Sequence, residues 1–299
     1  MISNIKGAFS SIWNNKVTSL LTILGVVIGV TSVIVLISLG QGLKNDVSSL
    51  IQGLGSNIMG VIGGKIDAAS MQGGGQVNPA QFIATDILTE KDLQTIQNTD
   101  GVQVAAPMSL VSSTIKYNEK IATPLIMGTT SQFIETVGIL KLESGRVFDN
   151  NSGEKSIIIA SNTKEALFGN NDPIGKRVMI SDTGFTVVGL LKKPSGSVIG
   201  GEYDNMTLIP FDAATALNKN QVKIYRIMVK AADNSDPKAV KETLTRSLLK
   251  NHNNEENFSV LTQDDLLGLF DQFLDLATTM VTAIAAISLI VGGIGIMNI

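Results

Sequence analysis

The chain has 299 residues and a formal net charge of −3, and 44% of its residues are hydrophobic while only 16% are charged. Its mean hydropathy of +0.26 is higher than that of a typical globular chain, and its weakly acidic balance argues against nucleic-acid binding. The absence of cysteine excludes disulfide bonds and thiolate metal sites, so any domain outside the cytoplasm depends on its packed core.

The first 16 residues, "MISNIKGAFSSIWNNK", place apolar side chains at helical spacing with Asn and Ser between them. This pattern predicts an amphipathic helix over residues 1–16 that lies in the cytoplasmic interface of a membrane. The alternative is a frayed polar terminus, because chain ends are often poorly ordered. The apolar side chains concerned are those of Ile2, Ile5, Phe9 and either Ile12 or Trp13.

Residues 17–43 contain no charged side chain. A helix over residues 18–39 would be roughly 33 Å long, which matches a hydrocarbon core of roughly 30 Å, and a helix satisfies its own backbone groups in lipid. The pattern predicts a first transmembrane helix over residues 17–43. A cleaved signal peptide and a buried core helix are the alternatives, but the run is longer than the apolar part of a signal peptide, and a second charge-free run follows at residues 276–299.

Residues 44–275 alternate helix-like and strand-like patterns. The first helix is expected to continue as a stalk over residues 44–54, until Gly53 and Gly55 interrupt it. The segment "NIMGVIG" then predicts a strand. A long low-complexity loop follows it, which we expect to be mobile.

The next part of the outer segment carries clear start and turn signals. Thr89 and Asp92 have the spacing of a capping box and predict a short helix. Two strands, "VQVAAPMSLVSSTIKY" and "KIATPLIMGT", are expected to pair around a turn at Asn118 and Glu119. Further on, "KIYRIMVKA", a helix with Pro237 in its first turn, and "NFSVLT" predict a strand, a helix and a strand.

The order of these elements predicts an α+β domain with two β-α-β units that come from the two ends of the outer segment. These units fall at residues 55–135 and 222–262, and a smaller α/β subdomain at residues 136–221 is inserted between them. A second stalk over residues 263–275, antiparallel to the first, then leads into a second transmembrane helix over residues 276–299.

The distribution of charge predicts the orientation. Lys6 and Lys16 are the only charged residues before residue 44, and all 26 acidic residues lie between residues 44 and 275. The positive-inside rule therefore places the N-terminus in the cytoplasm and residues 44–275 outside a cell membrane.

No nucleotide site is expected. The phosphate-binding loop of ATPases needs a glycine five residues before a Gly-Lys pair, followed by Ser or Thr. In "GNNDPIGKR", Gly169 stands six residues before Gly175, and Arg177 takes the place of the hydroxyl residue. We therefore predict no cofactor-binding residues.

Catalytic and metal-binding residues are not expected either. His252 is the only histidine, and its setting in "NHNNEEN" indicates a solvated turn residue rather than a zinc ligand or a catalytic base. Adjacent carboxylates at 255–256 and 264–265 are more typical of surface charges and helix starts than of facing acid-base pairs.

Small residues recur at helical spacing in both predicted transmembrane helices. Gly25 and Gly29 form a G-x-x-x-G pattern in the first, and Ser288, Gly292 and Gly295 follow at i, i+4 and i+7 in the second. Such faces allow helix backbones to approach closely, so these five residues are our candidate helix-packing residues. The alternative is that they only reflect the high glycine content of membrane helices.

Four segments carry a family resemblance: "NKVTSLLTILGVVIGVTSVIVLISLGQG", "DPIGKRVMI", "FTVVGLL" and "AAISLIVGGIGIMNI". In order and spacing the chain resembles the MacB-type permeases of ABC transporters, within the FtsX-like permease superfamily. The resemblance implies four transmembrane helices, an extracytoplasmic domain with a porter-like part (here residues 55–135 and 222–262) and an inserted subdomain, and a dimeric permease. These 299 residues would then stop before the last two helices.

The resemblance also implies a function: a non-catalytic permease subunit of an exporter of peptides, drugs or lipid-like molecules. ATP hydrolysis would move the outer domain through the stalks, a mechanism called mechanotransmission. The implied partners are a separate cytoplasmic ABC ATPase subunit, a second copy of the chain, a periplasmic adaptor-like protein and membrane lipid, with no nucleic acid. The alternative function is a membrane-anchored extracytoplasmic ligand-binding receptor or sensor; a membrane enzyme is disfavoured because catalytic groups are missing.

The predicted orientation can be tested by labelling. A Ser195→Cys variant should react with a membrane-impermeant thiol reagent in whole cells, because residues 44–275 are expected outside. The chain has no other cysteine to react. Labelling that occurs only after lysis would show that the orientation is reversed.

Overall fold

The computed structural model describes residues 16–53, 57–66, 88–138, 140–149, 155–193 and 204–298. Residues 1–15 of the predicted amphipathic helix, the predicted low-complexity loop beyond residue 66, and Ser195 lie outside the described residues. The chain divides into two compact units: residues 46–267 form one, called the outer unit after its predicted location, and the segments on either side of them form the other.

The described elements form an α+β succession between two long helices. In chain order they are α1 (Lys16–Gly53), β1 (Ile58–Gly63), α2 (Glu90–Gln97), β2 (Val102–Val111), β3 (Ile115–Tyr117), β4 (Lys120–Ala122), β5 (Leu125–Thr129), α3 (Ser131–Thr136), β6 (Leu142–Gly145), β7 (Ser156–Ile159), α4 (Ser161–Phe168), β8 (Arg177–Ile180), β9 (Thr183–Leu191), β10 (Met206–Pro210), α5 (Phe211–Leu217), β11 (Arg226–Ala231), α6 (Pro237–Asn251), β12 (Phe258–Thr262) and α7 (Gln263–Asn298).

The two long helices have the length and composition of membrane spans. Helix α1 is described over 38 residues, as far as Gly53, and α7 over 36. The segments Ile23–Gly53 and Gln263–Ser288 contain 18-residue stretches with mean hydropathies of 2.6 and 1.3 and are long enough to cross a membrane. Large apolar side chains such as Ile34 and Ile287 are more than half exposed on them, as a lipid-facing surface requires.

The two predicted β-α-β units are present and interleave in one antiparallel sheet. The strand order is β12-β1-β11-β2, so the unit β1-α2-β2 and the unit β11-α6-β12 each skip over a strand of the other. This is the ferredoxin-like arrangement. Helices α2 and α6 pack on the sheet around a core that includes the fully buried Ile96, Val229 and Leu244. Side chains of both β-α-β units contribute to this one core.

The sheet continues beyond β2 through β5-β10-β7-β9-β8-β3-β4. Strand β7 lies inside it and is buried on both faces: Ile158 packs in one core with Phe148, while Ile157 and Ile159 pack in the other with Phe185. Strand β5 pairs in parallel with β10, and β3 pairs with β8, so strand pairing crosses the predicted boundary at residue 136. The division into a porter-like part and an inserted subdomain stays a prediction.

The predicted hairpin is confirmed. Strands β3 and β4 pair on either side of Asn118 and Glu119, and β2 pairs with β5 further from the turn. Asn118 has a φ of 52°, a left-handed conformation that Asn tolerates better than most residues.

The predicted capping box of α2 is also confirmed. The Asp92 carboxylate accepts hydrogen bonds from the backbone N–H and the hydroxyl of Thr89, both at 2.8 Å, and the Asp92 N–H donates back to the Thr89 hydroxyl. Asn251, at the end of α6, donates to Asp92 Oδ1 at 2.9 Å and to Thr95 at 2.8 Å. Asp92 thus joins the start of α2 to the end of α6.

The prediction that His252 is a solvated turn residue is wrong. It does follow the end of α6, but its side chain is only 8% exposed, and its Nε2 atom lies 3.1 Å from Asp92 Oδ2. These atoms are not aligned as a hydrogen bond, so the contact is an ion pair only when the imidazole carries a proton. The ring also packs against Phe258, with centroids 5.1 Å apart. The polar sequence around His252 hides this burial, which arises because α6 ends against the start of α2.

The burial of Asp92 predicts an acid-sensitive outer unit. Burial alone would raise the pKa of Asp92, but hydrogen bonds from Thr89 and Asn251 outweigh it and lower the pKa below its ordinary value. A carboxylate with a lowered folded-state pKa contributes stability that is fully present above the unfolded-state value and is lost as pH falls through the folded-state value. The free energy of unfolding of residues 46–267 should therefore decrease below about pH 4.

In an Asp92→Asn variant this acid-dependent part should disappear, and the unfolding free energy at pH 7 should fall by about 1–3 kcal/mol because bonds to a charged group are lost. Urea unfolding at several pH values measures both quantities. Asp182→Asn, which changes an exposed carboxylate, is the control and should leave the pH dependence unchanged. An unchanged pH dependence in Asp92→Asn would contradict the assignment.

Candidate functional site: the paired long helices

Helices α1 and α7 come together at small residues. A Cβ atom placed on Gly29 would lie 3.5 Å from the Cβ of Ser288 and 3.6 Å from the carbonyl oxygen of Ala285. Gly29 and Ala285 are both buried, although most neighbouring residues of these helices are exposed. Close backbone approach at small residues is the usual way in which helices associate in lipid, where the hydrophobic effect does not hold them together.

Two further contacts define the direction of the pair. A Cβ atom on Gly40 would lie 3.6 Å from Leu274 Cδ2, and the Lys44 ammonium group lies 2.8 Å from the Asp271 carboxylate. From Gly29 to Lys44 the residue numbers on α1 increase, while those of their contacts on α7 decrease from Ser288 to Asp271. The helices are therefore antiparallel over several turns.

The five predicted helix-packing residues have different surroundings. Gly29 and Ser288 are brought together, whereas a Cβ atom on Gly25 would have no neighbour within 4 Å among the residues whose surroundings the structure describes. Gly292 and Gly295 lie in α7, but their surroundings are outside the described part of the chain. Their role as a packing set stays a prediction.

Sequence reasoning missed three parts of this contact. Ala285 was not singled out, although it precedes Ser288 by three residues and extends the small-residue stripe. The ion pair between Lys44 and Asp271 was also missed. Its signal is a lone cation at the end of one charge-free run and a carboxylate just before the other, but pairing the two requires knowledge that the helices are antiparallel. Gly40 carries no such signal.

The start of α7 is fixed within the outer unit by a second capping box. Asp265 Oδ2 accepts hydrogen bonds from the backbone N–H and the hydroxyl of Thr262, both at 2.7 Å, and the Asp265 N–H donates to the Thr262 hydroxyl at 3.2 Å. The Lys241 ammonium group, on α6, donates to the same oxygen at 2.8 Å. Asp264 and Asp265 thus lie at a helix start, as the sequence predicts.

The end of α1 is also fixed here. The side-chain amide of Gln263 donates a hydrogen bond of 2.9 Å to the backbone oxygen of Ile51. The last carbonyl groups of a helix have no partner inside the helix and need one from elsewhere. The first residue of α7 therefore satisfies the last turn of α1.

No arrangement of side chains among the described residues suggests catalysis. No group of three or more His, Asp or Glu side chains among them could hold a metal ion. A phosphate-binding loop leads from a strand into a helix, whereas Gly169 ends α4 and the Gly175-Lys176 pair precedes strand β8.

A cleft of about 870 Å³ lies between the β3–β4 hairpin and the end of α4. The rings of Tyr117 and Phe168 pack together in its wall, with centroids 4.4 Å apart. Lys120 and Lys176 line the cleft together with Glu119 and Asp172, so its charged side chains are of both signs. This mixture does not select a ligand of one charge.

Comparison with known proteins identifies the family. A family model described as the MacB-like periplasmic core domain matches residues 19–247. The chain is 30% identical over 288 residues to the macrolide export ATP-binding/permease protein MacB of Neisseria meningitidis serogroup A; the alignment covers 95% of this chain but 43% of that protein. The chain thus spans less than half the length of this relative.

Two further similarities agree with this match. An uncharacterized ABC transporter permease of Bacillus subtilis, YknZ, is 29% identical over 304 residues, covering 100% of this chain and 73% of that one. The crystal structure of the periplasmic region of MacB from Actinobacillus actinomycetemcomitans superposes with a TM-score of 0.61 at 21% identity, covering 74% of this chain and 95% of that one. At this identity the superposition establishes the fold alone.

An α+β domain of the periplasmic type between two apolar helices defines a class of membrane protein. Within that class, the chain belongs to the family of the MacB-like periplasmic core domain. The predicted family and the predicted α+β fold are confirmed. The orientation of the N-terminus stays a prediction.

Disulfide formation can test the contact at Gly29. Cβ atoms joined by a disulfide lie about 3.5–4.5 Å apart, so the pair Gly29→Cys and Ser288→Cys should cross-link readily on mild oxidation in membranes. Gly25→Cys with Ser288→Cys is the matched control, one helical turn away, and should cross-link at least about tenfold more slowly. Electrophoretic mobility without reductant measures the yield. Equal yields in the two pairs would contradict the packing.

Proposed function

We propose that the chain is part of the permease subunit of an ABC-type exporter, in which the paired helices carry movement to an extracytoplasmic domain. The observation that carries the proposal is the contact between α1 and α7, which combines close approach at Gly29 with the ion pair between Lys44 and Asp271. Both helices run without interruption into the outer unit, since the division between the units falls inside each of them. A helix is stiff along its axis, so displacement of one end reaches the other.

The outer ends of the helices support the same function. Helix α7 begins at Gln263, directly after strand β12 ends at Thr262, without a linker between them. Gln263 and Asp265 hold this start to the last turn of α1 and to α6. Movement of the helices would therefore act on the sheet rather than on a flexible loop.

ATP is hydrolysed by a partner in this proposal. The chain carries no phosphate-binding loop, whereas MacB of Neisseria meningitidis is named as an ATP-binding protein and a permease. In this proposal these 299 residues take no part in ATP hydrolysis and form a non-catalytic transporter subunit, which works with a cytoplasmic ABC ATPase subunit and with a second copy of the chain. An adaptor-like protein outside the membrane and surrounding lipid are further partners.

The substrate would be a peptide, a drug or a lipid-like molecule, which the outer domain handles on the extracytoplasmic side of the cell membrane. The exposed apolar side chains along both helices fit contact with lipid rather than a polar channel between the two. The predicted orientation, with the N-terminus in the cytoplasm, would place the apolar helices within reach of a cytoplasmic ATPase.

One observation favours the alternative function of a ligand-binding receptor. The cleft beside Tyr117 and Phe168 is large enough for a small molecule, and its aromatic wall and charged side chains could bind an amphipathic one. A receptor of this kind would not change the rate of any ATPase. Measurement of ATPase activity therefore separates the two functions.

The experiment reconstitutes the full-length protein in liposomes with its ATPase subunit. The presence of the full-length protein should stimulate ATP hydrolysis by the ATPase subunit, measured as phosphate release. Gly29→Leu should lower this stimulation about fivefold or more, because an oversized side chain in a close contact costs about 1–3 kcal/mol. Gly25→Leu is the matched control and should behave as the wild type, because no atom of the described part of the chain lies within 4 Å of the added Cβ position.

Limited proteolysis of the outer domain accompanies these assays and should be the same in all variants, because that domain has its own core. An ATPase that ignores the wild-type protein would refute the exporter and favour the receptor. Equal stimulation by Gly29→Leu and Gly25→Leu would refute transmission through the helix contact.

A further inference from the structure

The first turn of α7 is held from three sides. Asp265 Oδ2 receives hydrogen bonds from Thr262 in the preceding strand and from Lys241 on α6, while Gln263 binds the backbone of Ile51 in the last turn of α1. The elements concerned are far apart in sequence: Lys241 and Asp265 are 24 residues apart, and Ile51 and Gln263 are 212 apart. This convergence goes beyond what is needed to cap one helix.

The contact between Lys241 and Asp265 differs from the ion pair beside it. The Lys241 and Asp265 side chains are 32% and 31% exposed and their charged atoms lie 2.8 Å apart. Lys238 and Asp264, one turn earlier on α6 and one residue earlier on α7, are 74% and 77% exposed and 3.8 Å apart. A short, half-buried, charge-assisted hydrogen bond holds two elements together, whereas an exposed pair at that distance contributes little.

We propose that Asp265 is the positioning residue of a joint, formed with Lys241 and Gln263, that makes the first turn of α7, the last turn of α1 and helix α6 move as one body. This inference rests on the proposed function, because the joint matters only if helix movement must reach the outer domain. The bond from Lys241 would transmit movement of α7 to α6 and so to the face of the sheet that α6 covers. The bond from Gln263 would make the last turn of α1 and the first turn of α7 move together.

Two features of the fold make a joint necessary here. Strand β12 lies at the edge of the sheet and pairs only with β1 among the described strands, so by itself it is a weak anchor for a helix of 36 residues. Helix α6, in contrast, packs across the sheet through the fully buried Leu244 and Leu248. A bond from α7 to α6 attaches the long helix to the core rather than to the sheet edge alone.

Hydrogen exchange measures the joint without any ATPase. In the full-length protein, Lys241→Met should speed the exchange of the backbone amides of Thr262 and Asp265 about tenfold or more, because the shared carboxylate loses its cationic partner. Lys241→Arg should restore slow exchange, since Arg also donates to a carboxylate. Lys238→Met is the matched control, with the same substitution on the same helix, and should exchange as the wild type.

The same variants are then assayed for stimulation of the ATPase subunit in liposomes. Lys241→Met should lose most of the stimulation, while Lys241→Arg and Lys238→Met should keep it. Two results would overturn the joint: fast exchange in Lys241→Met with full stimulation, or identical behaviour of Lys241→Met and Lys238→Met in both measurements. A wild-type protein that fails to stimulate the ATPase would instead refute the proposed function, and with it the role of the joint in transmission. The exchange data would still show whether the contact between Lys241 and Asp265 holds the two helices together.

Discussion

The antiparallel pairing of β1 with β12 is the constraint on which the rest of this structure depends. Strand β1 follows α1 and strand β12 precedes α7, and Met59 pairs with Thr262. Because neighbouring antiparallel strands place one strand's start beside the other's end, this pairing brings the end of α1 next to the start of α7. The hydrogen bond from Gln263 to Ile51 and the antiparallel course of the two helices follow from it.

Different forces hold the two units of the chain together internally. The outer unit depends on the hydrophobic effect, with buried aliphatic side chains on both faces of its central strands, and it uses the carboxylates of Asp92 and Asp265 at helix starts to join elements. The helix pair exposes large apolar side chains and relies on close approach at Gly29 and Ala285 and on one ion pair. This difference is what a protein with one part in water and one part in lipid requires.

Asp92 and Asp265 show how the outer unit uses the same local motif twice. Each follows a Thr by three residues, each closes a capping box, and each accepts a further hydrogen bond from helix α6, from Asn251 at its end and from Lys241 near its start. Helix α6 is therefore tied to α2 at one end and to α7 near the other. Both of these contacts lie within residues 46–267, so α6 joins the start of α2 to the first turn of α7 inside one compact unit.

The sequence by itself determined the elements governed by local rules. The charge-free runs predict both long helices, the spacing of Thr89 and Asp92 predicts a capping box, and the strand and helix order predicts two β-α-β units within an α+β domain. Only the tertiary structure decided what meets across the fold. It buried His252 against Asp92, distinguished Gly29 from Gly25, and joined Lys44 to Asp271 and Lys241 to Asp265. These contacts depend on which strands pair and which helix faces turn inward, and those choices are made by residues distant in sequence, so no local pattern contains them.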